Sequence, residues 1–154
     1  MVRRLAAAAA IATLAMAASA CGSGDADAGD KPTRDSHSAA ADTSTCAADA
    51  KAVASTPAGY PADFPLPNGT VVFHVEDRGA DGVIATGVTT TPFDDVLKAM
   101  NAAQGAGFKV TNGETEEDDA EANWTGNGFT GRWAIKKSAT CPGETVVQLL
   151  SKKG

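Results

Sequence analysis

A glycine-rich hexapeptide near the end of the chain has the spacing of a dinucleotide-binding loop. Residues 126–131 are G-N-G-F-T-G, which matches G-x-G-x-x-G. Such a loop works only between a strand and a helix, where the glycines let a pyrophosphate approach the helix N-terminus. Residues 132–136 alternate as a strand does, so no helix follows. The motif therefore predicts a hairpin turn, and we expect no cofactor.

Two other groups of side chains could ligate a metal ion. The acidic run from Glu114 to Glu121 could bind calcium, but it lacks the D-x-D-x-D-G spacing and the distal Glu of an EF-hand loop. His74 and Glu76 share one face of a predicted strand, and no third ligand can be named for them. We expect a solvated loop and a solvent-facing pair, and hence no metal site. Calcium binding by residues 114–121 stays open.

The chain lacks the sequence motifs of common hydrolases. It contains no G-x-S-x-G, no H-E-x-x-H and no cysteine with a partner histidine. His37 lies in a linker, so His74 is the single histidine of the folded part, and acid–base catalysis would depend on carboxylates. We predict no catalytic residue and expect that the protein is not an enzyme.

The N-terminus has the form of an export signal. Arg3 and Arg4 precede an apolar run from Leu5 to Ala20, which is shorter than the ~20 residues of a membrane-spanning helix. Small residues then lead into Cys21, and this arrangement resembles the lipobox of bacterial lipoproteins, although Ala18 stands where that family usually has Leu. The resemblance implies cleavage after residue 20 and diacylglycerol on the Cys21 thiol. The alternative is an ordinary secretory signal with an idle Cys21.

The two remaining cysteines are far apart in the sequence. With Cys21 lipidated, Cys46 and Cys141 are an even remainder in an exported protein, and this predicts a disulfide. Closing a loop of about a hundred residues removes chain entropy worth about 4–5 kcal/mol. The alternative is two free thiols.

Charge and composition limit the partners. The net charge is −6, and it becomes more negative once Arg3 and Arg4 are removed. An acidic chain without a basic patch does not bind nucleic acid, and it is not drawn to anionic headgroups. Residues 21–59 contain hardly any large apolar side chain, so they predict a disordered tether. As a random coil, the part between Cys21 and Cys46 spans roughly 25–30 Å.

Alternating and helical patterns predict the elements of a folded domain from residue 60 onward. Two β-rich runs flank Asp81-Gly82, a hairpin signal whose two-residue turn would place Val75 opposite Val88. Residues 92–106 predict the one helix, with Thr91 as its cap. Asn127-Gly128 is a second hairpin signal, which pairs Gly126 with Phe129. A last strand is predicted at 145–151, with Val147 and Leu149 facing inward, and a short strand at 108–112 would be added to the sheet if it pairs.

These elements predict an α+β fold, an antiparallel sheet of about five strands in the order ββαβββ with one helix on one face. The domains would be a cleaved signal peptide (1–20), a lipid-anchored linker (21–59) and a single α+β domain (60–154). In the second hairpin, Trp124, Phe129 and Trp133 share a face. They pack in the core if the helix covers them, and they form a candidate binding surface if it does not.

The predicted domain is similar to small domains of uncharacterised lipoproteins from high-GC Gram-positive bacteria. The features that carry this resemblance are the F-P-L-P-x-G segment at 64–69, the strand pair, the helix ending in Ala106-Gly107-Phe108 and the final meander. The resemblance covers residues 60–150. It implies an envelope lipoprotein of unknown activity, and it supplies no active site.

The predicted lipid anchor, the predicted tether and the lack of catalytic motifs together predict a non-enzymatic binding module. It would be lipid-anchored on the extracytoplasmic face of the bacterial cell membrane. Its partner would be another envelope protein or a cell-wall polymer. The alternative is a carrier or sensor of a small apolar, lipid-like ligand held between helix and sheet.

Overall fold

The computed structural model describes residues 45–154. The predicted signal peptide, Cys21 and the linker up to residue 44 lie outside the described residues. The described part contains six strands, one α-helix and two short 3₁₀ segments, at Gly79–Asp81 and Ala102–Ala106. The strands are β1 (Val71–Asp77), β2 (Val83–Thr89), β3 (Phe108–Thr115), β4 (Asp119–Gly126), β5 (Phe129–Lys137) and β6 (Thr145–Lys153), and the helix is α1 (Phe93–Asn101).

All six strands form one antiparallel sheet in the order β1-β2-β6-β5-β4-β3. The predicted α+β class is confirmed, but the sheet has six strands rather than about five. The additional strand is β3, which pairs with β4 from Phe108 opposite Gly126 to Thr115 opposite Ala120. Much of the predicted acidic loop is therefore strand, and only residues 116–118 form the turn.

The second predicted hairpin is confirmed. Gly126 lies opposite Phe129, and the turn residues Asn127 and Gly128 have φ values of 49° and 79°. Both values belong to the left-handed region that a two-residue turn of this kind requires, and Asn and Gly tolerate it best. The expected inward face is also present, because Trp124 and Trp133 are 0 % and 1 % exposed.

The predicted register of the first hairpin is wrong. Val75 lies opposite Ala85 rather than Val88, because the chain turns through residues 78–82 instead of through Asp81-Gly82 alone. A bulge between Val72 and His74 shifts the register once more. As a result, His74 and Glu76 share a face with Thr86, whereas the predicted pairing of Val75 with Val88 would place Thr86 on the opposite face.

The helix α1 is shorter than predicted and continues as the 3₁₀ segment to Ala106. Its N-cap is Pro92 rather than the predicted Thr91, whose hydroxyl instead contacts Thr89 Oγ1 at 3.1 Å. Gly107 follows with φ 88°, as a left-handed helix terminator does. The apolar side of the helix faces the core, since Val96 and Met100 are fully buried.

The core lies between α1 and the face of the sheet that carries the two tryptophans. Phe64 comes from the segment before β1 and packs on Phe108 and Trp124, with ring centroids 5.0 and 4.8 Å apart. Val147 and Leu149 of β6 lie in the same cluster and are each 1 % exposed, so the predicted inward face of the last strand is confirmed.

Residues 45–59 contain no helix or strand, yet they contact the domain at several points. Cys46 and Cys141 lie at disulfide-bonding distance, with Cα atoms 5.7 Å apart, as the predicted disulfide requires. The Val53 N–H donates to the Val72 carbonyl at 2.9 Å, and the Gly59 carbonyl accepts from the Ser151 hydroxyl at 2.8 Å. Cys46, Val53 and Gly59 therefore contact the domain, although they precede its predicted start at residue 60.

Candidate functional site

A groove of about 470 Å³ lies where three parts of the fold meet. One wall is the start of α1, the second is the end of β5, and the third is the turn before β6. The lining residues are Pro92, Phe93, Asp94, Lys137, Ser138, Pro142, Gly143 and Glu144. The volume is within the range of about 300–1,000 Å³ that small-ligand sites occupy.

The turn before β6 is stabilised by a set of hydrogen bonds between residues 138 and 144. The Cys141 N–H donates to Ser138 Oγ at 3.0 Å, and the Ser138 N–H donates to the Glu144 carbonyl at 2.9 Å. The Glu144 N–H in turn donates to the Cys141 carbonyl at 3.1 Å. The third wall therefore has a defined backbone conformation.

Glu144 also links the groove to the chain that precedes the domain. Its Oε2 accepts the N–H of Ala47 at 2.7 Å, directly after Cys46. Cys46 and Cys141 lie at bonding distance beside the same turn. The groove therefore lies at the point where the predicted tether reaches the folded domain.

Lys137 is the cation of the groove, and its charge is largely compensated. Its Nζ lies 2.9 Å from Asp118 Oδ1 and 5.6 Å from the centre of the Phe93 ring, a cation–π distance. The hydrogen bond to Asp118 raises the pKa of Lys137, and the charges of Asp118, Glu117 and Asp94 act in the same direction. The ammonium group is thus surrounded by carboxylates.

The predicted surface of Trp124, Phe129 and Trp133 is mostly interior in the structure. Both indole rings are buried in the core, where Phe64 and Phe108 pack on Trp124, and Phe129 is half-buried against the same core. The two tryptophans therefore pack in the core, which was one of the two alternatives left open by the sequence. Each indole Nε1–H is buried without a hydrogen-bond acceptor among residues 45–154.

The residues considered as metal ligands do not converge in the described part of the chain. The one group of close donor atoms found in residues 45–154 is Cys46, Cys141 and Glu144, and its two sulfur atoms are at bonding distance from each other. His74 is exposed, and the neighbouring Glu76 accepts a 2.9 Å hydrogen bond from Arg78 that lowers the pKa of Glu76. In the acidic run, Asp118 pairs with Lys137, and Glu121 pairs with Arg132.

Sequence reasoning missed the groove. Its residues come from three segments that are adjacent only after β6 has inserted between β2 and β5. Local signals existed for two of the walls, namely Pro92 at the helix start and the turn at residues 141–144. No pattern in the sequence indicates that these two places face each other.

Comparison with known proteins gives no relative: no protein-family model, no curated protein and no solved structure matches the chain. Within residues 45–154 we find no helix with the length and apolar character needed to cross a membrane.

Proposed function

We propose that this protein is a lipid-anchored binding module of the bacterial cell envelope that holds a partner in the groove. Cys21 would carry the lipid, and residues 22–45 would connect it to the domain. The observation that supports this function is the position of the groove. It lies beside the Cys46–Cys141 pair, and its lining residue Glu144 accepts a hydrogen bond from the Ala47 N–H. A partner bound there would be held close to the attachment point of the tether.

The chemistry of the groove favours binding over catalysis. Its lining contains neither histidine nor cysteine, and its lysine is engaged with Asp118 and with the Phe93 ring. An apolar floor with a few charged groups at its edge is typical of recognition sites. The partner classes that fit are an envelope protein and a cell-wall polymer.

Photo-crosslinking in intact cells tests this function. A photoreactive amino acid replaces exposed Pro142 in the groove, and in a control chain it replaces exposed Asp81, in the β1–β2 turn at the other end of the sheet. We expect a discrete adduct from position 142 that is missing from position 81. The proposal would fail if position 142 gave no adduct or if both positions gave the same ones.

A second candidate function is carriage of a small lipid-like ligand between α1 and the sheet. The unpartnered indole N–H groups of Trp124 and Trp133 favour it, because a ligand with an acceptor oxygen would satisfy donors that are costly to bury alone. Native mass spectrometry of the Cys21→Ala protein purified from its own cells distinguishes the candidates. A retained adduct of lipid size supports carriage, and the bare protein mass contradicts it.

A further inference from the structure

The charge around the groove is predominantly negative. Asp94 and Glu144 are lining residues, while Asp118 and Glu117 act on Lys137 from the neighbouring β3–β4 turn. Three of these carboxylates act on the Lys137 ammonium group, and Glu144 adds a fourth negative charge to the lining. Because Asp118 already neutralises Lys137 at 2.9 Å, the remaining carboxylates give the groove a net negative potential.

The two lining carboxylates differ in what they contact. Glu144 Oε2 accepts the Ala47 N–H, a neutral donor that leaves the negative charge uncompensated. The Asp94 carboxylate is exposed in the first turn of α1; among residues 45–154 it has no hydrogen-bond or ion-pair partner, and its charge acts on Lys137 from a longer distance. Both carboxylates are thus available to a cation that enters the groove.

The floor of the groove is apolar. Phe93 is 6 % exposed and lies under the Lys137 ammonium group, and Pro92 and Pro142 also line the groove. An occupant that matches this site therefore has an apolar side chain for the floor and a positive charge for the carboxylates. The volume of about 470 Å³ suits a few residues of an extended peptide.

We infer that the groove binds a short extended segment of a partner protein in which lysine or arginine alternates with large apolar residues. The inference rests on the proposed function and names the chemistry of its partner. One apolar side chain packs beside Phe93, and the flanking cation lies between Asp94 and Glu144. Charge complementarity of this kind sets the association rate and selects against acidic partners.

Peptide binding tests the inference on the full chain with Cys21→Ala, which keeps acyl chains out of the assay. Three fluorescent peptides of equal length alternate Leu with Lys, Leu with Glu, and Ser with Lys, and anisotropy reports binding. We expect the Leu/Lys peptide to bind at least tenfold more tightly than the other two. Its affinity should also fall as salt is raised, because salt screens exposed charges.

Two variants with opposite expected effects separate recognition from loss of folding. Asp94→Asn should weaken the Leu/Lys peptide about threefold, whereas Lys137→Gln should strengthen it about threefold by exposing more negative charge. The matched control is Asp81→Asn, which removes the same charge at the far end of the sheet and should leave the affinity unchanged. An unfolded variant could not bind more tightly than the parent chain.

Several results would overturn the inference. They are equal binding of the Leu/Glu peptide, an Asp81→Asn effect as large as that of Asp94→Asn, and binding that appears only after Lys31→Gln and Arg34→Gln. The last result would mean that the chain's own segment around Lys31 and Arg34 is the occupant. If cells give the adduct at position 142 but no cationic peptide binds, the inference fails and the proposed function stands. If both experiments fail, so does the function.

Discussion

Individual residues fix the closest contacts in the core, and Gly131 is the clearest case. It lies opposite Trp124 in the β4–β5 pair, and a Cβ at this position would be 2.7 Å from the ring carbon Cζ2. The indole can pack this closely against β5 only because residue 131 has no side chain. A methyl group there would also press on the backbone of β6 at Leu150.

We therefore expect Gly131→Ala to lower the free energy of unfolding by about 1–3 kcal/mol, which is typical of overpacking. Denaturant unfolding followed by tryptophan fluorescence measures it. Gly105→Ala is the matched control, because a Cβ at Gly105 meets nothing within 4 Å. Equal stability of the two variants would contradict the packing described for Trp124.

Tyr60 is the one tyrosine of the chain, so its titration can be observed alone. It packs against the core, and burial raises the pKa of its phenol above the usual 10.0. The folded state then keeps the proton that the unfolded state loses, so the stability contributed is present below pH 10 and is lost as the pH rises through the folded pKa.

We expect tyrosinate absorbance to appear at a higher pH in the native protein than in denaturant. Stability should fall more steeply above pH 10 in the parent chain than in Tyr60→Phe, which has no proton to lose. The prediction is wrong if the phenol titrates at the same pH in the folded and unfolded protein.

Among the elements, the second hairpin was predictable and the first was not. Asn127-Gly128 separates two strands that each have one buried face, so a wrong register would expose Trp124 and Trp133. Strand β2, by contrast, is buried at all seven positions, so both of its faces are covered. A strand buried on both faces has no alternation to fix its register, so Asp81-Gly82 misled the prediction.

The central position of β6 in the sheet also could not be predicted from the sequence. Its neighbour β2 lies far away in the chain, and the pairing of Val88 with Val146 carries no local turn signal. The groove depends on this pairing, because it brings the turn before β6 to the start of α1. The Thr145 hydroxyl, which donates to the Thr91 carbonyl at 2.9 Å, connects these two elements.

The segment at residues 46–53 is the element most sensitive to the cysteine pair. We expect Cys141→Ala to lower the free energy of unfolding by about 2–5 kcal/mol, because the unfolded chain regains the entropy of a long loop. Differential scanning calorimetry of the two proteins measures the change. Cys21→Ala is the control and should leave the unfolding transition unchanged. If Cys141→Ala were as stable as the control, Cys46 and Cys141 would be free thiols.

At the scale of the whole molecule, the predictions of location and partner class depend mainly on composition and charge. The acidic chain, the early apolar run and the cysteine count predicted an exported, tethered domain that does not bind nucleic acid. The structure adds that residues 46–59 lie on the domain, and that the groove opens beside Cys46. A sequence cannot show this proximity, because it depends on contacts between residues 97 positions apart, such as Ala47 and Glu144.

Intact-mass spectrometry of the protein extracted from the membranes of its own cells is the most direct test of the proposed lipid anchor. We predict a chain that begins at Cys21, carries a diacylglyceryl group and is two hydrogens lighter than the reduced form. Cys21→Ala should leave the membrane fraction, whereas Cys46→Ala should remain in it. A chain without lipid that begins at another residue would contradict the proposal of a membrane-anchored binding module.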